Sequence, residues 1–150
     1  MAYLDPAVVQ SPPPQGWSDD ELAVDVLRAL GRSENVIHLL RRLPYLRQDI
    51  QDEKWEVYEE TRPLSYLRGA NAFGDRTAED CCDQGLHKLG LMPFNVAYPP
   101  GMISLTAGRE ATFWIIDTDE GMYCDVLPQD LPNQPIFTRP HIPRRVICRR

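Results

Sequence analysis

The sequence predicts an α+β fold in which N-terminal helices pack on an antiparallel sheet. Three observations carry that prediction. Residues 18–43 hold two segments with helical apolar spacing, each preceded by a capping residue. Residues 102–127 hold three short strand-like runs separated by turn residues, which is the pattern of a meander. Apolar residues at 43% and charged residues at 25% of 150 are ordinary values for one globular domain with a real core.

The first helix is announced by Ser18 and Glu21, spaced as a capping box, with Trp17 and Leu22 spaced as a hydrophobic staple. Asp19, Asp20 and Glu21 complement the positive end of the helix dipole. Leu22, Ala23, Val26, Leu27 and Leu30 form one apolar face, and Gly31 ends the segment. The second helix starts at Ser33 and is stopped by Pro44, with Val36, Leu39, Leu40 and Leu43 on its inner stripe. His38 falls on the opposite face with Arg41 and Arg42, where water is the expected neighbour.

Residues 55–59 alternate as Trp-Glu-Val-Tyr-Glu and predict a strand, while residues 64–67 suit either a strand or a helical turn. A third helix is expected from Thr77, with Asp80 completing a variant capping box and Ala78, Cys82, Leu86 and Leu89 facing inward to Gly90. His87 lies off that stripe. The first strand of the meander is read at 102–107 and the second at 111–116. The second is apolar on both faces, so Trp114 and Ile116 are expected to be buried along with Phe113 and Ile115. The third runs over 122–127, with Met122, Cys124 and Val126 on one face.

This organisation gives a disordered Pro-rich arm at 1–16, one α+β domain at 17–127, and an extended Pro/Arg-rich tail at 128–150. The arm and the end of the tail are expected to make no packed contacts, because their apolar positions follow no period. Of the fourteen prolines, three sit at 12–14, two at 99–100 and five between 128 and 143, places that mark tails and connections and not element interiors.

The net charge is −6, and the tail carries Arg139, Arg144, Arg145, Arg149 and Arg150, so the body is more acidic still. An acidic body argues against nucleic acid as a ligand; it suits another protein, of basic character, as partner, and it equally suits a surface kept acidic for solubility alone. No run approaches the roughly 18 apolar residues of a membrane span, and the first residues lack the basic and apolar regions of a secretory signal. A cytoplasmic or nuclear setting is expected, with the thiols reduced. Cys81, Cys82, Cys124 and Cys148 fit no zinc-binding spacing, and Cys82 is expected as a small buried hydrophobe.

Chemistry has one foothold. The strand ending in Asp117-Thr-Asp119 imitates the Asp-x-Asp with which haloacid-dehalogenase-like phosphatases hold magnesium and many sugar-nucleotide transferases hold manganese. In such phosphatases the motif opens the domain, whereas here it lies late. The transferase domain is far larger than this chain. Asp, Thr and Gly are equally what a tight hairpin loop demands. A calcium loop would need a glycine at its sixth position and a glutamate at its twelfth, where Met122 and Pro128 stand. No nucleophile elbow or phosphate-cradling glycine run is present. The sequence therefore favours a non-catalytic interaction or regulatory module without cofactor or metal. A metal-assisted hydrolase or transferase using Asp117 and Asp119 is the alternative. The candidate contact surface is Trp55, Tyr58, Arg62, Tyr66 and Arg68 around Pro63, with Asp119 and Glu120 in the hairpin loop. Trp55 and one of the tyrosines could equally be core. The oligomeric state is not encoded in any feature of the sequence.

Residues 36–45 (VIHLLRRLPY), 60–69 (ETRPLSYLRG) and 100–121 (PGMISLTAGREATFWIIDTDEG) resemble a group of small, uncharacterised fungal proteins, over about residues 17–127. More distantly, helices followed by a strand meander resemble the SUKH superfamily, which includes the yeast cell-wall assembly regulator and bacterial immunity proteins against nuclease toxins. That resemblance implies a protein-binding module, often an acidic one. The chain lacks the glycine- and tryptophan-rich signature of that superfamily in its first half, so the resemblance transfers no site residue.

Overall fold

The computed structural model describes residues 6–47, 56–93 and 98–126. It shows a mixed α+β architecture with few, short helices and three small antiparallel sheets.

The chain enters through a 3-10 turn at Pro6–Val8 and strand β1, Val9–Gln10. β1 pairs antiparallel with β2, Tyr45–Leu46, placing Val9 opposite Leu46. Trp17 then docks on the same region: its amide donates to Arg41 O (2.9 Å) and its indole N–H to Leu43 O (2.9 Å). Gly16 is required there, with φ +85° and Arg41 O only 2.9 Å from where a Cβ would stand. The expectation of a disordered arm is thus corrected for residues 6–16. Alternating Val9 and Gln10 supply a strand edge that β2 would otherwise leave open.

The Ser18–Glu21 capping box forms, with Ser18 N–H donating to Glu21 Oε2 (2.9 Å) and Glu21 N–H to Ser18 Oγ (3.3 Å). The regular helix it announces, α1, spans only Val24–Ala29. Residues 21–23 turn their backbone to residues 66–68 instead. Leu22 bridges Leu67, Ala23 N–H donates to Tyr66 O, and Arg68 N–H to Glu21 O. Gly31, at φ +72°, ends α1. Helix α2, Glu34–Leu40, is capped by Ser33, whose hydroxyl accepts from Val36 N–H (3.4 Å). Val36, Ile37 and Leu40 are buried and His38 is exposed.

Arg32, between these helices, ties them to the segment before the meander. Its guanidinium donates to Pro99 O, Met102 O, Leu30 O and Tyr98 O, and no described carboxylate pairs with it. Burial pushes its pKa below the usual arginine value.

The strand expected at 55–59 is not formed where it can be seen. Trp55 lies outside the described residues, and residues 56–60 form an exposed turn. Two apolar positions among three glutamates bury too little to hold a ladder, so beyond a single Tyr58–Thr61 bridge the first strand here is β3, Arg62–Pro63. β3 pairs with β5, Thr106–Ala107. Residues 64–66 continue extended and buried, and Tyr66 stacks edge-on against Phe73 (5.5 Å between centroids).

Helix α3 is a single turn, Ala78–Cys81, with the Thr77–Asp80 capping box in place. It is rotated by one residue from expectation: Cys81 is buried and Cys82 is exposed. Gly85 follows too soon for the helix to continue over 86–89, because glycine destabilises helical backbone.

The meander is present as β4, Met102–Ser104, β6, Phe113–Asp117, and β7, Met122–Val126, with β6 central. The run expected as one strand over 102–107 breaks at Leu105. Its amide donates to Trp114 O (2.7 Å) and its carbonyl accepts from Leu64 N–H (2.8 Å), so the chain leaves one sheet and enters another at this residue. Phe113 and Ile115 are buried in the core, while Trp114 and Ile116 are only half-buried. Burial of both faces of this strand is therefore corrected to one packed face and one partly covered face, as is usual for antiparallel sheets. Among the described residues no helix is long and apolar enough to cross a membrane.

Candidate interaction surface

Residues 56–61 form a closed turn that leans on the start of β6. Val57 N–H donates to Thr61 O (2.9 Å), and Thr61 N–H donates back to Tyr58 O (2.9 Å). Thr61 is fully buried and acts as the rivet: its hydroxyl donates to Glu59 O (3.0 Å) and accepts from Thr112 N–H (3.0 Å). Glu60 closes the turn at φ +51°, a left-handed conformation that a residue with a Cβ adopts at a cost. Its carbonyl oxygen lies over Gly108, where a Cβ would stand 1.9 Å away.

The result is a fastened tip that presents apolar surface to water. Tyr58 is 65% and Val57 42% exposed, and they are the large hydrophobics exposed among the described residues. Exposed Glu56, Glu59 and Glu60 surround them, and exposed Arg62 follows at the base. An aromatic anchor within a charged rim is the composition of a contact surface.

The other residues proposed from sequence are distributed differently. Tyr66 is fully buried and donates its hydroxyl to Ser104 O (2.6 Å), so it belongs to the core and not to the surface. Burial raises its pKa above the ordinary tyrosine value. Arg68 is exposed, but its guanidinium is paired with Asp25 and reaches Asp20 O, on the α1 side of the molecule. Asp119 and Glu120 are exposed on the β6–β7 hairpin, at the opposite end of β6 from Thr112. Tyr58 and Arg62 are therefore both exposed on one short segment, and the acidic hairpin lies elsewhere.

In that hairpin Asp117 builds the turn. Its Oδ1 accepts from the amides of Asp119 (2.9 Å) and Glu120 (3.1 Å). Thr118 fastens the loop by donating its amide and hydroxyl to Gly101 O, and the Asp119 carboxylate rests over Gly101. Among the described residues no group of three or more His, Cys, Asp and Glu side chains is placed to share a cation.

A shallow groove of about 510 Å³ lies beside α3, lined by Phe73, Gly74, Asp75, Arg76, Asp80 and Gln84. Two of its charged groups have local partners: Arg76 donates to Phe73 O, and Asp80 accepts from the Thr77 amide and hydroxyl. Those two bonds hold the Asp80 carboxyl below its usual pKa.

Sequence reasoning found Tyr58 but read its neighbours as a strand. The signal for a tip was the density of glutamates around only two apolar residues, with Pro63 close behind. No family model, curated protein or solved structure matches this chain.

Proposed function

We propose that the chain is a non-catalytic interaction module whose contact surface is the 56–61 tip and whose partner is a basic protein. One observation carries the reading: the fold exposes Val57 and Tyr58 while fastening the backbone beneath them. Fixing a loop in advance reduces the entropy lost on binding, and an exposed tyrosine is a favoured anchor. The three glutamates supply attraction for lysine and arginine on the partner. The likeness to SUKH protein-binding modules enters as part of the same proposal, as does an intracellular setting. The metal-assisted alternative gains no support from the hairpin, where Asp117 already serves two amides.

Affinity capture with the wild-type chain and with Tyr58→Ala tests this. The expected outcome is a retained protein that Tyr58→Ala loses by roughly tenfold or more, the scale of a hot-spot residue, and that elutes early as salt is raised. Circular dichroism checks that the variant folds. Identical retention by both chains overturns the reading. So does a saturable rise in Tm with magnesium or manganese that Asp119→Asn abolishes, because that is the behaviour of a specific metal site.

A further inference from the structure

We propose that Tyr58 is a phosphoryl-acceptor site, modified by a protein tyrosine kinase with a basic substrate groove. The inference rests on the interaction reading and adds a means of regulating the same surface.

Selectivity among the tyrosines comes from the fold. Tyr45 is buried and donates its hydroxyl to Leu40 O, and Tyr66 is buried and donates to Ser104 O. Tyr98 donates to Pro93 O and Tyr123 to the Asp125 carboxylate, both from half-buried positions. Tyr58 is the described tyrosine whose ring is mostly in water, and its hydroxyl has no hydrogen-bond partner among the described residues.

The local backbone suits an enzyme that must pull the segment into its own groove. The turn is closed by two backbone hydrogen bonds and the Thr61 hydroxyl, and relief of the left-handed Glu60 at φ +51° offsets part of the cost of opening it. Glutamates two positions before Tyr58 and one and two positions after it match a groove lined by lysine and arginine. In the transfer, Tyr58 Oη bonds to the γ-phosphorus of magnesium-bound ATP as the bond from that phosphorus to the ADP oxygen breaks. The phenolic proton passes to the kinase's catalytic carboxylate, and ADP leaves.

The phosphate adds nearly two negative charges to a tip that already carries three glutamates. Attraction to a basic partner then strengthens and becomes more sensitive to salt.

The full chain is incubated with magnesium ATP and the purified catalytic domain of an acid-directed tyrosine kinase, and phosphate is mapped by tandem mass spectrometry. Wild type and Tyr123→Phe are expected to take phosphate at Tyr58, about tenfold or more faster than at any other described tyrosine, because protected sites react only through opening. Tyr58→Phe should lose that incorporation. Absence of phosphate at Tyr58, or a rate there no higher than at Tyr123, overturns the proposal. No partner is present in this assay. Incorporation at Tyr58 combined with unchanged protein capture by Tyr58→Ala would therefore sink the interaction reading and leave the acceptor site standing.

Discussion

Gly108 and Gly31 resist a side chain for different reasons, and the difference is measurable. At Gly108 an added methyl would collide with the Glu60 carbonyl oxygen, a backbone atom that cannot swing away. At Gly31 nothing lies within 4 Å, and only the φ of +72° opposes a side chain. Gly108→Ala should therefore cost about 1–3 kcal/mol by overpacking and shift the amide resonances of residues 58–61. Gly31→Ala should cost about 1–2 kcal/mol from left-handed backbone alone and leave those resonances in place. Denaturant unfolding supplies the energies. Thr61 can be tested in the same way. Thr61→Val keeps the shape but strips the Thr112 amide and Glu59 carbonyl of their shared partner, at about 1–3 kcal/mol for buried groups left unpaired. Little of this was legible in sequence. Thr61 and Thr112 are 51 positions apart, and no local pattern marks a threonine as the link between them.

The elements divide by the range of the forces that make them. Both boxes form because Ser18–Glu21 and Thr77–Asp80 satisfy amides three residues away, whatever the rest of the chain does, but only Thr77 caps its helix: α1 begins at Val24 behind Ala23, with no side-chain cap. Thr77→Ala should destabilise by about 1 kcal/mol in thermal or denaturant unfolding, and Ser18→Ala by less, because its exposed box closes a turn ahead of α1 and caps no helix. The lengths of the helices were not legible. Residues 21–23 gave their backbone groups to residues 66–68, a partner more than 40 positions away, and α1 shortened accordingly. The one-residue rotation of α3 has the same origin, since Ala78–Cys81 packs on α1 and that contact chooses Cys81 over Cys82. In the sheet, the apolar run over 111–116 predicted the strand and its central position. It could not say that one face would be only half covered, because Trp114 and Ile116 are as apolar as the residues that face the core.

At the scale of the molecule, the docked arm and the buried tyrosines set how stability responds to truncation and to pH. A chain lacking residues 1–10 loses β1 and exposes the edge of β2, so its Tm should fall, by an amount worth on the order of 1 kcal/mol for a few half-buried residues. An unchanged Tm would return the arm to the disordered reading. Burial raises the pKa of Tyr45, Tyr66 and Tyr98. The unfolded chain releases these protons near pH 10 while the folded chain keeps them. Their contribution is thus whole below that pH and is lost as pH rises toward the folded values. Stability should decline above about pH 10, less steeply in Tyr66→Phe, as followed by Tm against pH. Leu105 carries one more consequence. Its amide belongs to the ladder of β4 and β6, and its carbonyl to the strand that leads out of β3. The two sheets thus share a hinge pin, and neither can dissolve without taking a bond from the other. Cooperativity between them is built into a single residue, and native-state hydrogen exchange should find Leu64, Leu105 and Ile115 opening together as one unit with one free energy.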